Sequence, residues 1–384
     1  MTTKPTLIAS STDVSSDAGL TALAKTIKRW GTEAGFQQVG ITYADIDRAH
    51  KQHYQQWLAA GYHGDMGYLT RNQDKRTNPK ALWQGTERVI CFRMDYHQET
   101  IIDSEHTLSH KDCGYVARYA LGRDYHKVLK KRIAVIGSKL QAHTHSTFTQ
   151  RAYVDSAPVM ERVLAQQAGL GWQGKHTLLI NPKAGSLFFL GQLFTNIPLP
   201  VDQPFTNNHC GRCTACLSRC PTDAFVAPYV LDARKCIAYL TIEYRGRIPE
   251  LLRPLMGNRV FGCDDCQLIC PWNRFNAPTQ EADFQPRHGL DHSGLLALFL
   301  WDEPTFSGRT EGSAIRRITY QQWLRNLAVG LGNAPFDEAI VTALEKKRAD
   351  QATGPLAKEH IMWAIQQQQH KRPSPVQEFL PDTL

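Results

Sequence analysis

Eight of the ten cysteines in this 384-residue chain fall between Cys210 and Cys270. Cys210, Cys213, Cys216 and Cys220, followed by Pro221, have the spacing C-x2-C-x2-C-x3-C-P. That spacing wraps three thiolates round one iron–sulfur cube and sends the fourth to a neighbouring cube. The second run, Cys263, Cys266 and Cys270 followed by Pro271, lacks its first cysteine, and Cys236 is placed to supply it. The swap rule then gives one 4Fe-4S cluster on Cys210, Cys213, Cys216 and Cys270, and another on Cys236, Cys263, Cys266 and Cys220. The chemistry implied is transfer of single electrons. Disulfides would need an oxidising compartment, and zinc takes one closed set of four ligands without Cys-Pro endings. Soft thiolates exclude magnesium and calcium. Cys91 and Cys113 stand outside the pattern and read as buried small hydrophobes.

Asp155 is the second candidate. Arg151 to Pro158 reads as an apolar strand delivering an acid at its end, ahead of a helix over 159–168. Position alone favours a helix N-cap, although strand ends facing a cleft also carry function. Gly169, Gly171 and Gly174, followed by Lys175 and His176, match G-x-G-x-x-G and approach a P-loop. They follow a helix rather than a strand, and His176 stands where a P-loop needs Ser or Thr, so nucleotide readings are rejected. The glycines are read as a tight turn that brings backbone close to a flat ligand.

The elements that must position these groups begin with a helix capped by Asp17, carrying Leu20, Leu23, Ile27 and Trp30 on one face and ending near Gly35. A strand at 39–42, a helix at 45–60, a basic segment with Arg71, Lys75, Arg76 and Lys80, a buried strand at 89–94 and a helix at 123–140 follow. Segments 177–180 and 187–194 are expected to pair as a hairpin across 182–185. An α+β first domain over 18–200, after a disordered tail at 1–17, is the reading of this order. Residues 201–285 form the ferredoxin-like two-cluster domain, with so little apolar periodicity that the clusters themselves are expected to hold it together. Residues 286–384 form an α-helical region with helices at 320–331, 336–346 and 356–368, resembling stacked HEAT pairs. Arg316, Arg317, Trp323 and Arg325 put cations beside an aromatic, a combination suited to RNA, though Trp323 also fits a core position.

The chain is 42% apolar and 21% charged, as in a globular protein. Neither an export signal nor a membrane span is expected, and free thiols then imply the cytoplasm. The net charge of +8 lies wholly in residues 1–200, with 24 Lys and Arg against 16 Asp and Glu. That half can attract a polyanion or simply be well solvated. Clusters alone make a small carrier; a carrier needs no preface of this length. The clusters are therefore expected to feed electrons to a redox cofactor or substrate in the first domain.

The chain resembles the epoxyqueuosine reductases, cobalamin-dependent enzymes of queuosine biosynthesis in tRNA. The resemblance is carried by Arg76 to Pro79, Ala117 to Ala120, Gly122 to His126, Val154 to Pro158, Ala168 to Lys175, Gly262 to Gln267 and the eight cysteines. It implies a nitroreductase-like domain holding cobalamin with no protein ligand to cobalt. The D-x-H-x-x-G signature of a histidine ligand is absent, since Lys, Val and Leu129 follow His126, and His126 is read as a helical residue. It further implies that the Cys236, Cys263, Cys266 and Cys220 cluster lies next to the cofactor. Asp155 then corresponds to the proton donor for the opened epoxide, which requires a raised pKa beside the apolar corrin. Arg76, Ala117, Asp155, Arg162, Lys175, His176, Leu179, Leu190, Cys263 and Asp264 correspond to cobalamin contacts. The implied partner is tRNA carrying epoxyqueuosine; a small flavodoxin or ferredoxin is expected as electron donor, and a monomer is expected because one chain contains every required part. The rival readings are a reductive dehalogenase-like enzyme and a non-catalytic iron–sulfur RNA-binding protein. The first usually carries a twin-arginine export signal, and a cobalamin absorption band would separate the second.

Overall fold

The computed structural model describes residues 16–98, 103–144 and 148–373. Positions 1–15 of the expected tail and the C-terminal end beyond 373 lie outside the described residues. Helix α1 (Asp17–Glu33) is capped by Ser16, whose Oγ accepts from Gly19 N at 3.2 Å, rather than by Asp17. Asp17 occupies the first turn, where its charge meets the positive end of the helix dipole. Strand β1 (Gln38–Tyr43), α2 (Arg48–Ala59), β2 (Arg88–Asp95), α3 (Tyr125–Thr144), β3 (Gln150–Tyr153), α4 (Glu161–Gln167) and β4 (Phe188–Thr195) complete the first part. The strands form one antiparallel sheet in the order β1-β2-β4-β3.

Alternation along β2 explains why this sheet is covered on both faces. Ile90, Phe92 and Met94 join the apolar faces of α1 and α3, with Leu23, Ile27, Ile133 and Ile136. Val89 and Cys91 point the other way and pack with Val163 and Leu164 of α4. Cys91 is fully buried, whereas Cys113 is only half-buried.

The expected hairpin does not form. Leu179–Ile180 pairs instead with Trp172–Gln173, and β4 pairs along its whole length with β2. An eight-residue partner offers β4 a longer ladder and more apolar contact than a two-residue strand can. The 181–185 turn still exists, closed by Asn181 and Gly185. Gly171, at φ +155°, has no room for a Cβ because the Ile180 carbonyl oxygen would lie 2.1 Å from it. Gly169, at φ +78°, is similarly closed by the Gln203 carbonyl at 2.7 Å. These glycines serve backbone-on-backbone packing within the chain, not the approach to a ligand expected from the sequence.

Residues of the cluster segment do not depend on metal alone. Ile237, Leu240, Ile248, Met256, Val260 and Phe261 are buried in one apolar core with Val116 and Leu121 and with Leu324, Leu327 and Ile361. A parallel pairing of Tyr115–Val116 with Arg259–Phe261 ties this core to the first part. Single apolar residues contributed by many short turns leave no period to read, which is why the sequence suggested a coreless segment. The closing helices α5 (Tyr320–Asn333), α6 (Glu338–Ala349) and α7 (Pro355–Lys371) lie where the periodicity placed them. Trp323 and Arg325 face inward, both fully buried. Arg325 donates to the carbonyls of Leu240 and Tyr244 at 2.7 Å and of Gly246 at 3.0 Å. Neither contacts nucleic acid from there; they lock the helices onto the cluster segment. Arg325→Leu strands these carbonyls, and a stability loss of about 3–5 kcal/mol is expected in chemical denaturation.

Candidate active site and electron path

Asp155 follows β3 in a left-handed conformation, φ +49°. Its backbone N donates to Glu161 Oε1 at 2.7 Å, at the start of α4. The Asp155 carboxylate accepts from Tyr125 Oη at 2.5 Å and pairs with His126 Nε2 at 3.1 Å, both from the start of α3. Asp124 holds the other ring nitrogen of His126 at 2.7 Å. Asp155 is thus the centre of a polar cluster and not a helix cap. Tyr125 stacks on Phe189 of β4, centroids 4.1 Å apart and rings nearly parallel, so its hydroxyl has one direction to point.

The charges in this cluster differ from the expectation of a raised Asp155 pKa. Partial loss of water pushes the half-exposed Asp155 up, but the hydrogen bonds of His126 and Tyr125 and the charges of His126 and Arg317 outweigh it and hold the carboxyl below its usual range. Burial opposes the charge on His126, yet Asp124 and Asp155 lift it to about 9. Glu161, raised to about 8 by burial and by the charge of Asp155, is also protonated near neutral pH. The proton therefore resides on His126 and Glu161 while Asp155 stays ionised between them.

Tyr125 also lines an open cleft of about 380 Å³. Apolar side chains including Leu179, Phe188 and Leu190 form one wall, and Cys220, Cys236, Cys263 and Cys266 form another. Arg162, His176 and Asp264 supply polar groups. Arg162 donates to the Thr177 carbonyl. His176 is kept neutral, near 4, by burial and by Arg162, and its Nε2 is buried without a partner. Asp264 accepts from Tyr115 Oη and Arg118 N, both at 2.8 Å. A flat, amide-fringed macrocycle fits this donor set: apolar wall, one orphaned imidazole nitrogen and a few polar groups. The remaining residues named from the sequence lie off the cleft lining. Ala117 is buried beneath Gly262. Arg76 reaches the Val159 carbonyl at 3.4 Å, behind the Asp155 loop. Lys175 Nζ donates to the Gly211 and Cys213 carbonyls at 2.7 and 2.8 Å, beside the other cysteine group.

The cysteines themselves gather in two sets. The Cys216 thiol is raised to about 11 by burial and by the charges of Cys270, Cys210 and Cys213. Burial and the neighbouring Cys236, Asp264 and Cys220 raise Cys266. All ten cysteines are free. Two thiolate sets of this kind suit four-iron cubes, with which the spacing agrees.

Two family models match the chain: "4Fe-4S double cluster binding domain" over residues 209–273 and "Epoxyqueuosine reductase QueG, DUF1730" over 76–156. An epoxyqueuosine reductase of Pseudomonas aeruginosa is 56% identical over 343 residues, covering 89% of this chain and 94% of that protein. The chain belongs to the epoxyqueuosine reductase family. The Escherichia coli epoxyqueuosine reductase is 54% identical, over 92% of this chain and 91% of its own length. A crystal structure of an epoxyqueuosine reductase with an epoxyqueuosine-modified tRNA-Tyr stem loop superposes with a TM-score of 0.82 at 26% identity, covering 90% of each chain. A Bacillus subtilis epoxyqueuosine reductase, solved with its catalytic aspartate loop swung out of the active site, gives 0.79 at 25% identity, over 90% of each chain.

Within this family member, sequence reasoning missed Tyr125 and Glu161 and undervalued His126. The available signal was that Tyr125 and His126 lie inside one of the family-like segments, 122–126. Arg317 is the other addition: it pairs with Glu243 at 2.7 Å, and its charge reaches Asp155 and Tyr68. Arg316, also exposed, bonds Ser307 instead. Among the described residues no helix is long and apolar enough to cross a membrane.

Proposed function

We propose that this chain reduces the epoxide of epoxyqueuosine to the alkene of queuosine at the wobble position of tRNA, with cobalamin in the cleft and two 4Fe-4S clusters as the electron path. One observation carries this reading: Tyr125 lines the cleft that four cysteines wall, and the same Tyr125 hydroxyl holds Asp155. Cobalamin, when bound and reduced, supplies an electron-rich metal able to open a strained C–O bond. Two electrons and two protons then release the epoxide oxygen as water.

The protons are the business of the polypeptide. An alkoxide is a poor leaving form unless a proton arrives with it. His126 holds a proton up to a pH of about 9, and Asp155 is hydrogen-bonded to it, so the pair acts as one donor with Asp155 as the group presented to substrate. Asp124 fixes the imidazole, and Glu161 anchors the backbone of Asp155. His176 Nε2, Arg162 and Asp264 would hold the cofactor's polar fringe, and Leu179 and Leu190 its apolar face. Arg317, from the helical region, would contact the RNA beside Asp155. The electron donor would be a small flavodoxin or ferredoxin.

The test is to incubate the reconstituted protein with cobalamin, a reductant and tRNA carrying epoxyqueuosine, and to follow the nucleoside by mass. Loss of one oxygen supports the reading; no loss with clusters and cobalamin intact overturns it. The pH profile gives a second check. Because the shared proton is held by a group raised to about 9, single-turnover rates should be level through neutral pH and fall above about 9. In His126→Gln, Asp155 loses the imidazole, and the fall should move down towards the ordinary carboxylate range.

A further inference from the structure

The two cysteine sets differ in access. Cys220, Cys236, Cys263 and Cys266 line the cleft, while Cys213 of the other set is the exposed member of the eight. Electron transfer weakens steeply with distance, so an external donor must dock where a cluster comes nearest to solvent. Three chain segments meet beside this set, where Trp172, Ile180 and Trp272 cluster with Cys270 and Cys210. His209 stacks edge-on against Trp172 and lies near Trp272. Ser186 N donates to Asn273 Oδ1 at 2.6 Å, joining the 181–186 turn to the 271–275 segment. Lys175 grips the Gly211 and Cys213 carbonyls.

These segments are depleted of acid. Residues 162–201, 203–222 and 266–280 contain no Asp or Glu, although 201–285 as a whole balances nine acids against nine bases. Lys183, Arg212 and Arg274 are exposed there. Arg219, by contrast, is engaged by Glu105 and Asp265. Arg274 lies over the ring of Phe275, which is 40% exposed, so a cation and an apolar ring stand together at this surface. A small contact with an apolar centre and a charged rim is the form of a transient redox encounter.

We infer that the surface around Cys213, with Lys183, Arg212, Arg274 and Phe275, is the docking face for a small one-electron carrier protein with an acidic surface. The carrier loses one electron as the cluster gains one, twice per epoxide reduced. The inference rests on the proposed function for its purpose but not for its test. RNA is the poorer occupant, because the substrate nucleotide must reach Asp155, on the side of the other cysteine set.

The experiment uses the holoenzyme and photoreduced flavodoxin, with cluster bleaching followed by stopped flow and dithionite as a small reductant in parallel. Wild-type reduction by flavodoxin should slow steeply as salt is raised. Arg212→Glu/Arg274→Glu should slow it about 10–100-fold at low salt, and Lys183→Glu, outside the cysteine series, should slow it in the same direction. Reduction by dithionite should be unchanged in each. Equal flavodoxin rates in variants and wild type, or rates indifferent to salt, overturn the inference. So does weakened binding of a tRNA stem loop with flavodoxin rates intact, which would make this a nucleic-acid face. Because cluster bleaching is read without any epoxide, a protein that reduced no epoxyqueuosine could still pass this test.

Discussion

Asp155→Asn is expected to lower single-turnover epoxide reduction by about 10²–10⁴-fold, the contribution of a positioned acid. The substitution preserves shape, and its amide oxygen can still accept from Tyr125 Oη. Its backbone N can still donate to Glu161. The cofactor's absorption band and the iron content should therefore match wild type. What is lost is one of the two carboxylates that raise His126, so the imidazole holds its proton less tightly with Asp124 alone, and the group presented to substrate can no longer pass that proton on. Unchanged turnover would remove Asp155 from the mechanism. Unchanged turnover with a displaced pH profile would leave His126 as the donor.

Cys263→Ala carries the second large effect. Cys263 is one of the four cysteines that face the cleft, so its loss should remove one cluster, about half of the iron and sulfide, and with it the reduction of added cobalamin. Binding of a tRNA stem loop should change far less. The apolar core shared by Val260, Phe261 and the closing helices does not need the cluster, so helical circular dichroism should persist. If stem-loop binding and cobalamin reduction fall together, the cluster is structural rather than a conductor.

Local spacing alone made the cysteine groups legible. Ligation of a cube by three cysteines within seven positions is a property of a short chain segment, and its Cys-Pro ending marks where the fourth thiolate leaves for the neighbour. The same holds for α1, α3 and α5, whose apolar residues recur at helical intervals, and for β2, where the apolar run Val89 to Phe92 signals burial on both faces. The sequence by itself therefore determined the long helices and the buried strand, the electron-transfer chemistry and, through short family-like segments, the candidate aspartate.

Only the tertiary structure decided what surrounds that aspartate. Tyr125 and His126 come to Asp155 across about thirty residues, and Arg317 from farther still, at separations with no local period. The direction of the Asp155 shift followed from those neighbours: burial alone raises a carboxyl, but two hydrogen bonds and two cations reverse the sign. Trp323 and Arg325 show the same limit, since a cation beside an aromatic reads alike on a surface and in a core. Their burial was set by the carbonyls of 240–246 that Arg325 satisfies. Spacing along the chain fixes which groups can act together; packing between distant segments fixes their charge and their partners.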